Sequence, residues 1–301
     1  MHTINFFAAK KQIKMHFLIP LQNRGNSSFQ SIQLLQSFNH QPPRPTFAPM
    51  SQSEWFANWF NSPYYHQLYQ HRDQEEAASF IDNLLHYLQP PAGSSMIDIA
   101  CGEGRHALSL AEKGYEVAGI DLATASIQKA RQYQLPNLSF YVQDMRLPFY
   151  INYFDYAFNF FTSFGYFDSP RDHQAAAHQF ANCLKPGGTL VIDYLNEVKS
   201  RKELVPEETV QRDERTFHIK RFIDEGYFIK EICFEDAEGK SRHYQERVAA
   251  FGLKDFERLF GNSGLSLKQT FGDYALGAFD AARSPRLILI FEKKTHGLPP
   301  A

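Results

Sequence analysis

Apolar positions follow two rhythms along the chain. Between residues 75 and 196, short apolar runs alternate with stretches in which apolar residues recur every three or four positions. Between 217 and 248 they recur with period two. The first rhythm predicts strands and helices in turn, and the second predicts antiparallel strands with one covered face. Met96 to Ala100, Val117 to Ile120, Leu138 to Val142, Phe154 to Phe161 and Thr189 to Asp193 read as buried strands. Apolar residues on both faces of Phe154 to Phe161 suit a central parallel strand. Phe80, Ile81, Leu84, Leu85 and Leu88 share one face of a helix. Asp73-Gln-Glu-Glu76 opens it with the spacing of a capping box, and Pro90-Pro91-Ala-Gly93 stops it. His106 to Lys113 and Thr124 to Gln134 are further helices, and Ser169-Pro170 with Asp172 caps another. Leu253 to Phe260 reads as a last helix, and Leu265 to Phe271 and Arg286 to Lys293 as the last two strands.

The period-two region carries Phe217, Ile219, Arg221 and Ile223, then Phe228, Lys230, Ile232 and Phe234, then Tyr244 to Val248. Asp224-Glu-Gly226 and Glu235-Asp-Ala-Glu-Gly239 mark the turns between them. Residues 197–250 therefore read as an inserted small antiparallel β cap, the place where substrate choice should live. Ahead of the sheet, residues 54–72 are dense in aromatics and must pack on something. Residues 1–49 are rich in Gln, Asn, Ser and Pro with no sustained period, and read as disordered. Residues 1–53 hold five basic residues and no Asp or Glu, which also suits a transit peptide. The abrupt onset of globular composition after Met50 favours a translation start there.

The chemistry concentrates at Cys101-Gly102-Glu103-Gly104, between the strand ending at Ala100 and the helix from His106. Glycines at 102 and 104 let the backbone approach a ligand, and free N–H groups at the helix start offer donors. Asp121, at the carboxyl end of the next strand, can accept hydrogen bonds from both hydroxyls of a ribose. A nucleoside cofactor follows. Gly102-x-Gly104-x-x-Ala107 with Asp121 ~20 residues on also fits the dinucleotide fingerprint. Asp98 tips the choice. A strand acid so near the turn would repel a pyrophosphate and suits a cofactor carrying an ammonium and a sulfonium.

Asp98-Ile-Ala-Cys-Gly-Glu-Gly-Arg-His106 resembles motif I of the class I S-adenosylmethionine-dependent methyltransferases, in the small-molecule subset with a D-x-x-C-G-x-G-R-H turn. Leu184-Lys-Pro-Gly-Gly188 ahead of Thr189 to Asp193 resembles the turn that feeds the fifth strand of the same family. The resemblance spans roughly residues 75–196 and 252–294. It implies an α/β, doubly wound, seven-stranded, mostly parallel Rossmann-like sheet of order 3-2-1-4-5-7-6, with the methyltransferase core at 50–196 and 251–295. It implies S-adenosylmethionine as cofactor, with S-adenosylhomocysteine as product. The turn residues Asp98, Ala100, Cys101, Gly102, Gly104 and Arg105 would hold it, with Asp121, Leu122, Asp144, Met145 and Asn159. Asp144 would meet the adenine amine and Met145 the ring. Tyr65, Tyr69 and Arg72 would reach it from the aromatic segment, Arg72 by pairing with its carboxylate. Phe164, Tyr166, Tyr194 and Tyr274 are candidates for the acceptor side. Tyr166, Tyr194 and His218 are conceivable bases, and the sequence singles out none.

Composition narrows the classes. A net charge of −2 invites neither nucleic acid nor an acidic membrane surface. No run approaches the ~18 apolar residues of a transmembrane helix. Cys101, Cys183 and Cys233 are odd in number and widely spaced, which gives no disulfide framework and no metal spacing and points to a reducing compartment. The expectation is a cytoplasmic monomer or homodimer that methylates a small molecule. A nicotinamide-dependent oxidoreductase and a non-catalytic S-adenosylmethionine-binding protein are the alternatives.

Overall fold

The computed structural model describes residues 55–69 and 74–295. The readings of residues 1–49, of Arg72 and of the Asp73 cap fall outside them. The described chain builds two sheets. The larger has seven strands: β1 (Ser95–Ile99), β2 (Glu116–Asp121), β3 (Leu138–Val142), β4 (Phe154–Asn159), β5 (Leu184–Leu195), β10 (Leu265–Phe271) and β11 (Arg286–Lys293), in the order β3-β2-β1-β4-β5-β11-β10. The first five run parallel, and β11 inserts antiparallel between β5 and β10. This is the expected order, with the last strand of the chain lying inside the last-but-one.

Alternation along the strands divides the core in two. On one face lie Ile97, Ile99, Ile120, Ala157, Leu190, Ile192, Leu289 and Phe291, under α6 (Pro170–Cys183) and α8 (Leu253–Gly261). On the other lie Met96, Val117, Phe158, Val191, Ile288 and Ile290, under α3 (Gln74–Leu88), α4 (Arg105–Glu112) and α5 (Thr124–Ala130). Burial on both faces is why these strands read as nearly continuous apolar runs. The helix over 124–134 is shorter than its pattern predicts. Leu135 precedes a proline, which disfavours the helical region there, and the Arg131 side chain donates to the Phe140 carbonyl.

The second sheet is antiparallel, in the order β6-β7-β8-β9: Glu207–Arg212, Arg215–Asp224, Tyr227–Glu235 and Ser241–Ala249. The helix α7 (Glu197–Lys202) leads into it. The first of its strands, Glu-Glu-Thr-Val-Gln-Arg, escapes a hydrophobicity reading because Val210 is its lone apolar residue, as suits an edge strand. Two short helices, α1 (Trp55–Phe60) and α2 (Pro63–Leu68), cover its inner face. Ser62 caps α2, with Pro63 at its first position. Trp59 and Leu68 pack there with Phe217, Ile219, Ile232 and Phe234. The aromatic segment therefore joins the two sheets.

Candidate functional site

The site grows from the end of β1. Ala100, Gly102 and Gly104 all take positive φ, at 61°, 56° and 85°, so the chain reverses within five residues. The Cys101 N–H donates to the Ile120 carbonyl at 2.9 Å, tying the turn to β2. The two glycines differ in what surrounds them. A Cβ on Gly104 would stand 2.6 Å from the Phe140 ring, whereas one on Gly102 would meet no atom within 4 Å. Gly104 is required by packing. Gly102 keeps open the floor of a cavity of about 380 Å³, within the roughly 300–1,000 Å³ of small-molecule sites.

Asp121 closes the turn from β2. Its two carboxylate oxygens accept the N–H groups of Gly102 at 2.8 Å and Ala123 at 2.7 Å. The same carboxylate lines the cavity. Asp98 sits behind the turn and does not line the cavity. It is buried, it accepts the backbone N–H of Ala107, and its Oδ2 has no partner among the described residues. Burial, reinforced by the charge of Asp121 and opposed by Arg105, pushes its carboxyl up to about 8. The strand acid thus works as a cap for α4, whose N-cap residue Gly104 has no side chain to offer.

Aromatic side chains form the roof. Phe56, Phe60, Tyr65, His66 and Tyr69 come from the α1–α2 segment, and Phe160, Phe161, Ser163, Tyr166 and Phe167 from the loop after β4. The segment is pinned at both ends. Asn61 Oδ1 accepts the Ala125 N–H at 3.2 Å, capping α5 from outside, because Ala123 offers no side-chain cap of its own. Trp59 Nε1 and the Tyr69 hydroxyl donate to Glu246 of β9 at 2.8 and 2.7 Å. Burial and then Glu246 push the Tyr69 phenol up. His66 Nδ1 lies 2.8 Å from Glu103 of the turn, which also accepts from Lys129 at 2.7 Å. The His66 contact, helped by Lys129 and opposed by burial, brings Glu103 down to about 2.

The loop after β4 is strained. Phe161 and Thr162 are consecutive non-glycine residues at φ 58° and 59°. Asp193, at 1% exposure, holds them. Its carboxylate accepts the Phe161 N–H at 2.8 Å and its carbonyl the Thr162 N–H at 2.9 Å. Arg286 Nε donates to the same carboxylate at 2.7 Å, and Arg286 Nη2 to the Thr162 hydroxyl at 2.9 Å.

Of the residues singled out in the sequence, Tyr65, Tyr69, Ala100, Cys101, Gly102, Arg105, Asp121, Leu122, Asp144, Met145 and Tyr166 line the cavity. Asp144 is already engaged there, since Arg146 donates to both of its oxygens at 2.6–3.1 Å. Asn159 is fully buried beneath the site and donates to the Ile99 carbonyl. The acceptor-side candidates need correction. Phe164 is core, among Phe180, Phe256 and Phe260. Tyr194 is fully buried and donates to the Ala249 carbonyl. Tyr274 stacks on Phe80 and donates to Asp193. His218 lies on β7 beside Thr209, away from the cavity. The sequence reading missed His66, Glu103, His106, Gln143 and Phe161. Glu103 could have been found between the two glycines, but nothing in the linear pattern pairs it with His66.

A second cavity of about 500 Å³ adjoins the first at Tyr166, which lines both. Leu204, Arg221, Phe228, Lys230, Glu246 and Val248 are among its walls, so the inner face of the antiparallel sheet forms much of it.

The Methyltransferase domain family model matches residues 96–188, from β1 to the start of β5. A dTDP-3-amino-3,4,6-trideoxy-alpha-D-glucopyranose N,N-dimethyltransferase of Streptomyces venezuelae is 29% identical over 205 residues, 65% of this chain and 85% of its own. The putative methyltransferase YqeM of Bacillus subtilis is 27% identical over 241 residues, 76% of this chain and 94% of its own. Among solved structures, an S-adenosylmethionine-dependent methyltransferase from Clostridium acetobutylicum superposes with a TM-score of 0.64 at 17% identity, covering 79% of this chain and 98% of its own. The amino pentose methyltransferase CalS10 from Micromonospora echinaspora gives 0.58 at 20% identity, covering 77% and 98%.

Proposed function

We propose that the chain is a class I S-adenosylmethionine-dependent methyltransferase and that the group it methylates belongs to a small molecule bound in the second cavity. The observation that carries this reading is the junction at Tyr166. There the cavity over the glycine turn meets one walled by the antiparallel sheet. In the reading, Asp121 takes the ribose hydroxyls, and Gly102 leaves the backbone bare for close approach. Phe56, Phe60 and Met145 supply apolar surface for a flat base. A dinucleotide would need room for a second nucleotide and a home for its pyrophosphate, and the acids Glu103 and Asp121 that line the cavity disfavour the latter.

When bound, S-adenosylmethionine supplies a methyl group on a sulfonium, open to in-line displacement by a nucleophile. The chain contributes alignment and a dry site. Asp193 and Arg286 hold the Phe161–Thr162 turn in its left-handed form, which fixes the Phe161 wall of the first cavity. Tyr69, Glu246 and Lys230 form the polar partition between the cavities, with Lys230 bonded to the Tyr69 hydroxyl and 3.8 Å from Glu246. Glu246 offers a carboxylate on that wall to a proton leaving the acceptor.

Relatives named as amino-sugar N-methyltransferases support a small acceptor. The wall chemistry fits a polar molecule with an apolar face: Arg221, Lys230, Glu208 and Glu246 beside Leu204, Phe228 and Val248. The test is transfer of labelled methyl to a panel of small amines and alcohols, with bulk RNA and protein in parallel. Label in a small acceptor, reduced by Val248→Trp in the second cavity, is the expected result. Label in RNA or protein alone would overturn the reading.

A further inference from the structure

His66 stands out because half of its imidazole is accounted for and half is not. Its side chain is 14% exposed. Nδ1 lies 2.8 Å from Glu103, and Nε2 is buried with no hydrogen-bond partner among the described residues. Glu103 is held ionised, so its oxygens only accept, and Nδ1 must carry the proton. In the neutral ring Nε2 is then an acceptor, and the His66 side chain lines the cavity. A buried acceptor with nothing to accept keeps its full desolvation cost, so native proteins seldom leave one without a partner of some kind.

The partner's identity follows from where His66 stands. Its anchor lies between Gly102 and Gly104, the Gly102 N–H rests on Asp121, and Lys129 reaches the same Glu103 from α5. His66 is therefore on the β1–β2 side of the cavity. It does not line the second cavity, where the acceptor is placed. The nearest predicted donors on a bound adenosyl cofactor are the ribose hydroxyls assigned to Asp121. We infer that His66 is a cofactor-binding residue whose Nε2 accepts a hydrogen bond from a ribose hydroxyl, with Glu103 fixing its tautomer and drawing the aromatic segment down onto the glycine turn. The inference rests on the adenosyl-cofactor reading. It adds a contact from a helix lying outside the sheet and outside the matched residues 96–188.

Two ligands separate the possibilities. S-Adenosylhomocysteine carries a ribose and an amino-acid end, and methylthioadenosine keeps the ribose without the amino acid. Each is titrated calorimetrically into the wild-type chain, His66→Phe and Glu103→Gln, with a thermal melt confirming that each variant is folded. His66→Phe should weaken both ligands by about tenfold, and Glu103→Gln, which keeps the ring but loses the ionic anchor, by about threefold. Loss confined to S-adenosylhomocysteine would place His66 on the amino-acid end and overturn the assignment. Unchanged affinity in His66→Phe would overturn it outright. Should His66→Phe not fold, Glu103→Gln decides alone: unchanged affinity for both ligands overturns the inference. Failure of the wild-type chain to bind either ligand would instead refute the cofactor reading beneath it.

Discussion

Adding a single methyl group at Gly104 tests the packing account of the turn. In Gly104→Ala the new Cβ lies 2.6 and 2.7 Å from Cζ and Cε1 of Phe140, and 3.2 Å from Ala130 Cβ. The ring has no room to swing. Its Cδ1 already lies 2.5 Å from where a Cβ on Gly119 would be, so Phe140 is wedged between Gly104 at the start of α4 and Gly119 of β2. Two costs add. A φ of 85° in an L-residue costs roughly 1–2 kcal/mol, and overpacking a filled core costs roughly 1–3. The variant should lose about 2–5 kcal/mol in urea unfolding at neutral pH. Trimming the ring in Gly104→Ala/Phe140→Leu removes the clash. The alanine penalty, measured against Phe140→Leu alone, should then fall to the backbone part, about 1–2 kcal/mol. Gly102→Ala is the control. It has a φ of 56° but open space around its Cβ, so it should cost about 1–2 kcal/mol in stability while losing most of its affinity for S-adenosylhomocysteine. A Gly104→Ala chain as stable as wild type, or a Gly102→Ala chain that binds normally, would refute this division of labour.

Other outcomes follow from the buried polar groups. Asp98 has a folded-state carboxyl raised from 3.8 to about 8, so its contribution is fully present below pH 3.8 and is lost as pH rises through 8. Asp98→Asn mimics the neutral form and still accepts the Ala107 N–H. The ligand-free variant should gain stability over wild type in thermal melts as pH is raised from 5 to 8; a constant difference would contradict this. Arg286→Ala strands the Asp193 carboxylate at 1% exposure and should cost about 3–5 kcal/mol in chemical denaturation. Asn61→Ala removes the outside cap of α5 and should cost about 0.5–2 kcal/mol in the same assay.

Much of the α/β frame was legible because parallel strands buried on both faces write themselves as short apolar runs. The glycine turn was legible because its backbone angles demand particular residues. Val210, alone among polar residues, could not announce an edge strand. The acceptor-side candidates failed for a related reason. Phe164 and Tyr194 are aromatic and close in sequence to the site, but strand alternation and the turn after Phe161 send both into the core under α8. The Asp98 argument reached the cofactor class through a supposed contact with the ligand, whereas the structure places the carboxylate behind the turn, on the Ala107 N–H. The His66–Glu103 contact joins residues 37 positions apart on a helix and a turn, and only the folded chain brings them together.

The most direct test of the central claim is calorimetric titration of the chain with S-adenosylmethionine, S-adenosylhomocysteine and NADH, with Asp121→Ala alongside. The account predicts that both adenosyl ligands bind, that NADH does not, and that the substitution abolishes the binding by removing the acceptor at the end of β2. NADH binding without the other two would contradict it and return the glycine turn to the dinucleotide reading.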